Sequence, residues 1–120
     1  MPEPLILCID DEDMGLQIRK VVLERAGYRV TTALSGPAGL EIFSKNSVDL
    51  VILDYFMPSM HGGIVAAELR RMRPNIPIIL LSAYVNLPRE VVDAVDCTVV
   101  KGDNPETLLN RIRELLSSQP

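Results

Sequence analysis

The chain has 120 residues, 48% of them hydrophobic and 23% charged. This points to one ordinary globular domain that buries its core without cross-links, and it excludes disorder. A formal net charge of −4 argues against nonspecific binding to nucleic acid or anionic membrane. The local cluster Arg70, Arg71 and Arg73 reads as a helix end, where cations suit the helix dipole. Cys8 and Cys97 stand outside any CxxC pair and away from a histidine. They are read as reduced thiols of a cytosolic protein, since a disulfide framework wants more cysteines in a shorter chain. Without a basic-plus-apolar leader or an apolar run approaching ~20 residues, neither a secretion signal nor a membrane span is expected.

Short apolar runs then alternate with helical patterns. Leu5 to Ile9 is continuously apolar, the mark of a strand covered on both faces. The acidic stretch Asp10 to Asp13 opens a helix in which Ile18, Val21 and Val22 supply the apolar spacing and Gly27 the stop. Arg29 to Ala33 alternates like a short strand. Ser35-Gly36-Pro37 is a helix start, with Leu40 and Phe43 on the apolar face. Leu50 to Leu53 is a second buried strand and ends at Asp54. Met57-Pro58 breaks the chain before a helix from Gly62-Gly63 through Met72. Pro74 and Pro77 bracket a turn, after which the buried strand Ile78 to Leu81 ends at Ser82. Pro88 to Val95 has room only for a short helix. Thr98 to Val100 forms a fifth strand ending at Lys101. Asn104-Pro105-Glu106 starts a last helix with an inner stripe of Leu108, Leu109, Ile112, Leu115 and Leu116. The tail from Ser117 to Pro120 reads as frayed, or as the start of a linker. Five strands alternating with five helices predict an α/β fold, a parallel sheet with helices on both faces.

The polar residues of interest fall at strand ends: Asp10 and Asp11 after the first, Asp54 after the third, Ser82 after the fourth and Lys101 after the fifth. In open parallel sheets the site lies outside the carboxyl ends of the strands, where the winding direction switches. Strand order 2-1-3-4-5 would bring Asp10, Asp11 and Asp54 together there, with Ser82 and Lys101 on the flank. Converging carboxylates repel unless a cation joins them, and an oxygen-only set suits Mg²⁺ or Mn²⁺ rather than zinc. Lys101 can pair with a carboxylate and then with a phosphoryl oxygen, and Ser82 can donate to another. Asp54 is left as the candidate nucleophile, because carboxylates do form aspartyl-phosphates. Neither GxxxxGK[ST] nor GxGxxG occurs, so no nucleotide pocket is expected.

With Asp10-Asp11, the segment Asp54-Tyr55-Phe56-Met57-Pro58 running to Gly62, the pair Ser82-Ala83 and Lys101, the sequence closely resembles the response-regulator receiver family over essentially the whole chain. The resemblance implies a flavodoxin-like, three-layer (βα)5 doubly wound fold and a single receiver domain over residues 1–120. It implies phosphorylation of Asp54 in two-component signalling. Asp11 and Asp54 would contact Mg²⁺ directly, Asp10 through water, and the Phe56 carbonyl would be a further ligand. Ser82, Ala83 and Lys101 would bind the phosphoryl group. The donor would be a phosphohistidine on a sensor histidine kinase or phosphotransfer protein, or a small phosphodonor. The surface of the fourth helix, fifth strand and fifth helix would pass the state to an effector or output domain. Dimerisation stays open, and a transcriptional role would require a further segment or a partner.

Three features depart from the family pattern. Thr98 stands where an aromatic switch residue is usual, with Tyr84 a substitute for that role. Gly102 follows Lys101 where proline is usual; a trans bond and a less fixed Lys101 are expected, since a cis Lys-Gly bond costs ~2.5–4 kcal/mol. The stretch from Ser82 to Lys101 is short, so the fourth helix should be reduced. Phe56 and Tyr84 should overhang the site and exclude the water that hydrolyses an acyl phosphate, giving slow autodephosphorylation. Two other functions fit less well: a phosphorylation-independent receiver-like interaction module, and a small phosphatase with an aspartyl nucleophile. The phosphatase would want an acid/base after Asp54, where Tyr55 and Phe56 stand instead. His61 is read as an exposed loop residue without a part in the chemistry.

Overall fold

A continuous apolar run leaves no strand face fit for water, and each such run is a buried strand here. The computed structural model describes residues 3–58 and 60–118. Its elements, in chain order, are β1 (Leu5–Ile9), α1 (Asp13–Arg25), β2 (Arg29–Ala33), α2 (Gly36–Lys45), β3 (Leu50–Asp54), α3 (Gly62–Met72), β4 (Ile78–Ser82), α4 (Arg89–Asp93), β5 (Cys97–Val100) and α5 (Pro105–Ser117). The strands pair in parallel in the order β2-β1-β3-β4-β5. Alternate residues of each strand point to opposite faces. Leu7, Ile9, Val51, Leu53, Ile78 and Leu80 therefore pack with Phe43, Val65, Leu69 and Val91 of α2, α3 and α4. Ile6, Cys8, Leu50, Ile52, Ile79, Leu81 and Val99 pack with Leu16, Leu23, Leu108, Leu109 and Ile112 of α1 and α5.

Helix starts follow the local chemistry. Ser35 Oγ accepts from Ala38 N at 3.2 Å with Pro37 in the first turn of α2, and Asn104 Oδ1 accepts from Glu106 N at 2.9 Å at the head of α5. His61 is exposed, as its loop position suggested, but its Nδ1 accepts from Gly63 N at 3.1 Å and caps α3. The arginine cluster does close α3. Arg70 pairs with Asp96 at 2.5 Å, and Arg73 lies over the Phe43 ring, 4.6 Å from its centroid. Gly27 (φ +100°) follows α1 where a stop was expected.

Three differences from the sequence reading matter. α1 begins at Asp13, with Glu12 as its cap residue, so Asp10 and Asp11 belong to the preceding loop and not to the helix. The inner face of α1 is carried by Leu16 and Leu23, while Ile18 and Val21 are exposed. Finally, α5 includes Ser117, and Ser118 is its C-cap; residues 119 and 120 lie outside the described residues. The reduced fourth helix is present, five residues long. Thr98 is the register partner of the buried Leu80 and points to the same face, yet it is exposed. Among the described residues no helix is long and apolar enough to cross a membrane.

Candidate functional site

Backbone bonds carry the sheet ladder to the residues at its carboxyl edge. Asp10 N donates to Ala33 O at 3.1 Å, Tyr55 N to Leu81 O at 2.9 Å and Lys101 N to Ser82 O at 2.8 Å. Asp10, Asp54, Ser82 and Lys101 therefore meet at one place although they come from four different strand ends. Asp10, Asp54 and Ser82 are buried, at 1%, 4% and 3% exposure. Carboxylate oxygens of Asp10, Asp11 and Asp54 lie within 4.8 Å of one another.

This crowding needs cations. Lys101 Nζ lies 3.3 Å from Asp10 Oδ2 and 3.1 Å from Asp54 Oδ1, bridging the two. Burial, and then the Asp10 charge, raise the Asp54 pKa above the ordinary carboxylate value, although Lys101 opposes the shift. Burial works against the Lys101 charge, yet the hydrogen bond to Asp54 and the nearby carboxylates leave its pKa raised overall. Lys101 is thus well held, contrary to the expectation that Gly102 would leave it loose. No cis peptide occurs among the described residues, and Gly102 adopts φ +85°. Glycine takes that left-handed turn without a Cβ penalty and sends the chain away while Lys101 faces inward.

The acidic cluster opens into a cavity of about 260 Å³, whose walls include Asp11, Asp54, Phe56, Ser82, Tyr84 and Lys101. Ala83 also lines it. Ser82 Oγ accepts from Tyr84 N at 2.9 Å, which folds the chain tightly after β4. The ring-bearing residues Phe56 and Tyr84 border the cavity but are themselves largely exposed. The structure therefore gathers the acidic pair, Asp54, Ser82, Ala83, Lys101, Phe56 and Tyr84 as the sequence suggested. Thr98 stands apart from this cavity.

One charged neighbour was not anticipated. Arg19 Nη1 lies 3.4 Å from Asp10 Oδ2, with its side chain only 15% exposed. The available signal was its place between Leu16 and Leu23, three and four residues from the two inner leucines of α1. The site's donors are oxygens alone, in a partly buried anionic cluster. That set fits a hard divalent cation and does not fit zinc or copper.

The sequence matches the response regulator receiver domain family over residues 6–113. It is 37% identical over 114 residues to "Probable transcriptional regulator ycf27" of Cyanidium caldarium, covering 92% of this chain and 45% of that protein. It is 38% identical over 93 residues to "Transcriptional regulatory protein GlrR" of Escherichia coli, covering 78% of this chain and 20% of that protein. The chain thus spans half or less of the length of these curated relatives. Among solved structures, a CheY-like response regulator receiver domain protein from Methanospirillum hungatei superposes with a TM-score of 0.91 at 29% identity, covering 96% of this chain and 94% of that one. The response regulator TrrA of Thermotoga maritima, in complex with Mg²⁺-BeF, superposes with a TM-score of 0.89 at 36% identity, covering 93% and 98%. With the fold, the strand order and the family match all in agreement, the chain belongs to the response regulator receiver domain family.

Proposed function

We propose that Asp54 accepts a phosphoryl group from a phosphohistidine or small phosphodonor beside a divalent metal, and that the acquired charge is the signal. The observation that carries this reading is the bridging of Asp10 and Asp54 by Lys101 at 3.3 and 3.1 Å beneath a cavity open to a donor. An Asp54 carboxylate oxygen attacks the donor phosphorus. The P–N or P–O bond to the donor breaks, its electron pair leaves with the donor, and an acyl phosphate remains. Lys101 exchanges part of its contact with Asp54 for a phosphoryl oxygen, and Ser82 Oγ donates to another. Asp10, Asp11, Asp54 and the Phe56 carbonyl would hold Mg²⁺ or Mn²⁺. When bound, the metal supplies positive charge to the transferring group. Ala83 lines the cavity and would lie beside the phosphoryl group.

A sensor histidine kinase or a phosphotransfer protein would be the donor partner. The exposed surface of α4, β5 and α5, with Val92 and Val100 uncovered, would face the effector or output domain. The cavity walls also suggest a long-lived acyl phosphate. Phe56 and Tyr84 border the approach that a hydrolytic water would use. Phe56→Asn and Tyr84→Glu should each shorten the phosphoryl lifetime several-fold, followed by intact mass over time after the donor is removed. Unchanged lifetimes in both variants would remove the gating idea.

The deciding experiment is intact mass after incubation with acetyl phosphate or phosphoramidate and Mg²⁺. One added phosphoryl group is expected, absent in Asp54→Asn and in the presence of chelator. If neither donor nor a phosphohistidine protein gives an adduct, the phosphorylation-independent interaction module becomes the better reading.

A further inference from the structure

A helix stripe facing a sheet ordinarily takes apolar residues, and a charge placed there needs a partner. On α1 the inner leucines Leu16 and Leu23 flank Arg19, whose guanidinium reaches Asp10 Oδ2 at 3.4 Å. The same oxygen is 3.3 Å from Lys101 Nζ. Asp10 Oδ2 is therefore shared by two cations, one from α1 and one from the end of β5. Arg19 lines a groove between α1 and α5 together with Ile18, Val22, Val99 and Leu108. The side chain is only 15% exposed, and its charged head reaches the carboxylate.

Formal charge gives this arrangement a direction. Asp10, Asp11 and Asp54 carry three negative charges, and Lys101 alone would leave the cluster at −2. Arg19 brings it to −1. A divalent ion then leaves +1 rather than zero. Phosphorylation turns the single charge of Asp54 into the double charge of an acyl phosphate, which leaves these groups at zero with Arg19 and at −1 without it; Glu12 on the cavity wall adds one negative charge in every state, so the difference made by Arg19 is unchanged. Resting on the acceptor reading above, we infer that Arg19 is a positioning residue that weakens metal binding to the unmodified protein and strengthens retention of the phosphoryl group. It acts through Asp10, so the metal and the phosphoryl group depend on each other more strongly than Lys101 alone would make them. In the resting state the guanidinium occupies an oxygen of Asp10, the carboxylate that would hold the metal through water; in the phosphorylated state it balances the added charge.

The test compares Arg19→Met and Arg19→Gln, which remove the charge, with Arg19→Lys, which retains it. Methionine keeps an apolar stem in the α1–α5 groove, and far-UV circular dichroism reports the fold. Calorimetric titration with Mg²⁺ alone should show both neutral variants binding roughly three- to tenfold more tightly than wild type, the size expected from one partly buried charge. At saturating Mg²⁺ the same variants should bind beryllofluoride more weakly by a similar factor. Arg19→Lys should stay close to wild type in both. Opposite signs in the two titrations are the signature, because a merely structural role would weaken both together. Mg²⁺ affinity that is unchanged or lower in the neutral variants overturns the inference. Failure of the wild type to bind beryllofluoride would instead count against the acceptor reading, leaving the Mg²⁺ comparison to decide the role of Arg19.

Discussion

Lys101→Met should lower the unfolding free energy of the metal-free protein by about 1–3 kcal/mol at neutral pH. Removing one member of a buried ion pair costs roughly 3–5 kcal/mol because a charge is left uncompensated, and the 31% exposure of the Lys101 side chain reduces that figure. Two carboxylates lose their shared partner, since the ammonium lies between Asp10 and Asp54. The pH dependence follows from the shifts. Asp54 titrates above its ordinary 3.8, first because of burial and then because of Asp10. Its contribution to stability is therefore complete below 3.8 and is lost as pH rises through the raised folded value. Without Lys101 that value rises further and the loss deepens, so the gap between wild type and variant opens as pH climbs from 3.8 toward neutrality. Lys101 titrates above its ordinary 10.5, so its own contribution is complete below 10.5 and disappears as pH rises through its raised value. Urea unfolding in acid, at neutrality and in strong alkali should show a gap that is widest in the middle. A gap of constant size across pH would mean that Lys101 acts through packing rather than charge.

Gly62→Val should destabilise the protein by about 1–3 kcal/mol or more through overpacking. A Cβ at Gly62 would sit 2.8 Å from the Asp54 carbonyl oxygen, 2.8 Å from Leu53 Cδ1 and 2.9 Å from Leu80 Cδ1. The leucine tips can move, but the carbonyl belongs to the acceptor residue itself. Gly62 N also donates to Tyr55 O at 2.7 Å, which ties the start of α3 back to the end of β3. The strain would therefore act on the position of Asp54 as well as on the core, and phosphorylation from acetyl phosphate should slow beyond what the stability loss explains. Gly102→Ala is the control. It meets no atom within 4 Å, and its only penalty is the φ of +85°, worth roughly 1–2 kcal/mol. If Gly62→Val retained wild-type stability and rate, the close approach at the β3–α3 turn would have no functional weight.

Much of this architecture can be read from apolar runs alone. Leu5–Ile9, Leu50–Asp54 and Ile78–Ser82 are buried strands because nothing polar interrupts them before the edge of the sheet. The acidic site was legible for the same reason: its members are the polar residues that terminate those runs. The helix α1 was harder. Ile18 and Val21 suggested the wrong inner face, since the true face includes an arginine and hydrophobic spacing assigns arginines to water. Only the position of Asp10 in space explains why Arg19 turns inward. The firmness of Lys101 was equally hidden. The residue after it announced freedom, whereas two carboxylates arriving from other strands remove that freedom. Thr98 is uncovered because α4 is too short to roof β5, a consequence of chain length rather than of any local motif.

The parallel pairing of β1, β3, β4 and β5 has a kinetic side. Parallel neighbours are joined only through intervening helices, so no carboxylate of the cluster meets Asp54 until whole crossover units have closed. A nascent or truncated chain that stops before β5 has Asp10, Asp11 and Asp54 but lacks Lys101, the ammonium that joins two of them. The complete site therefore exists only when the ends of β1, β3 and β5 are all in place, and global opening disperses it. Ligands that bind it lower the population of opened molecules by mass action. Slower proteolysis of the entire domain, rather than of one loop, is how that protection would show itself in a cell.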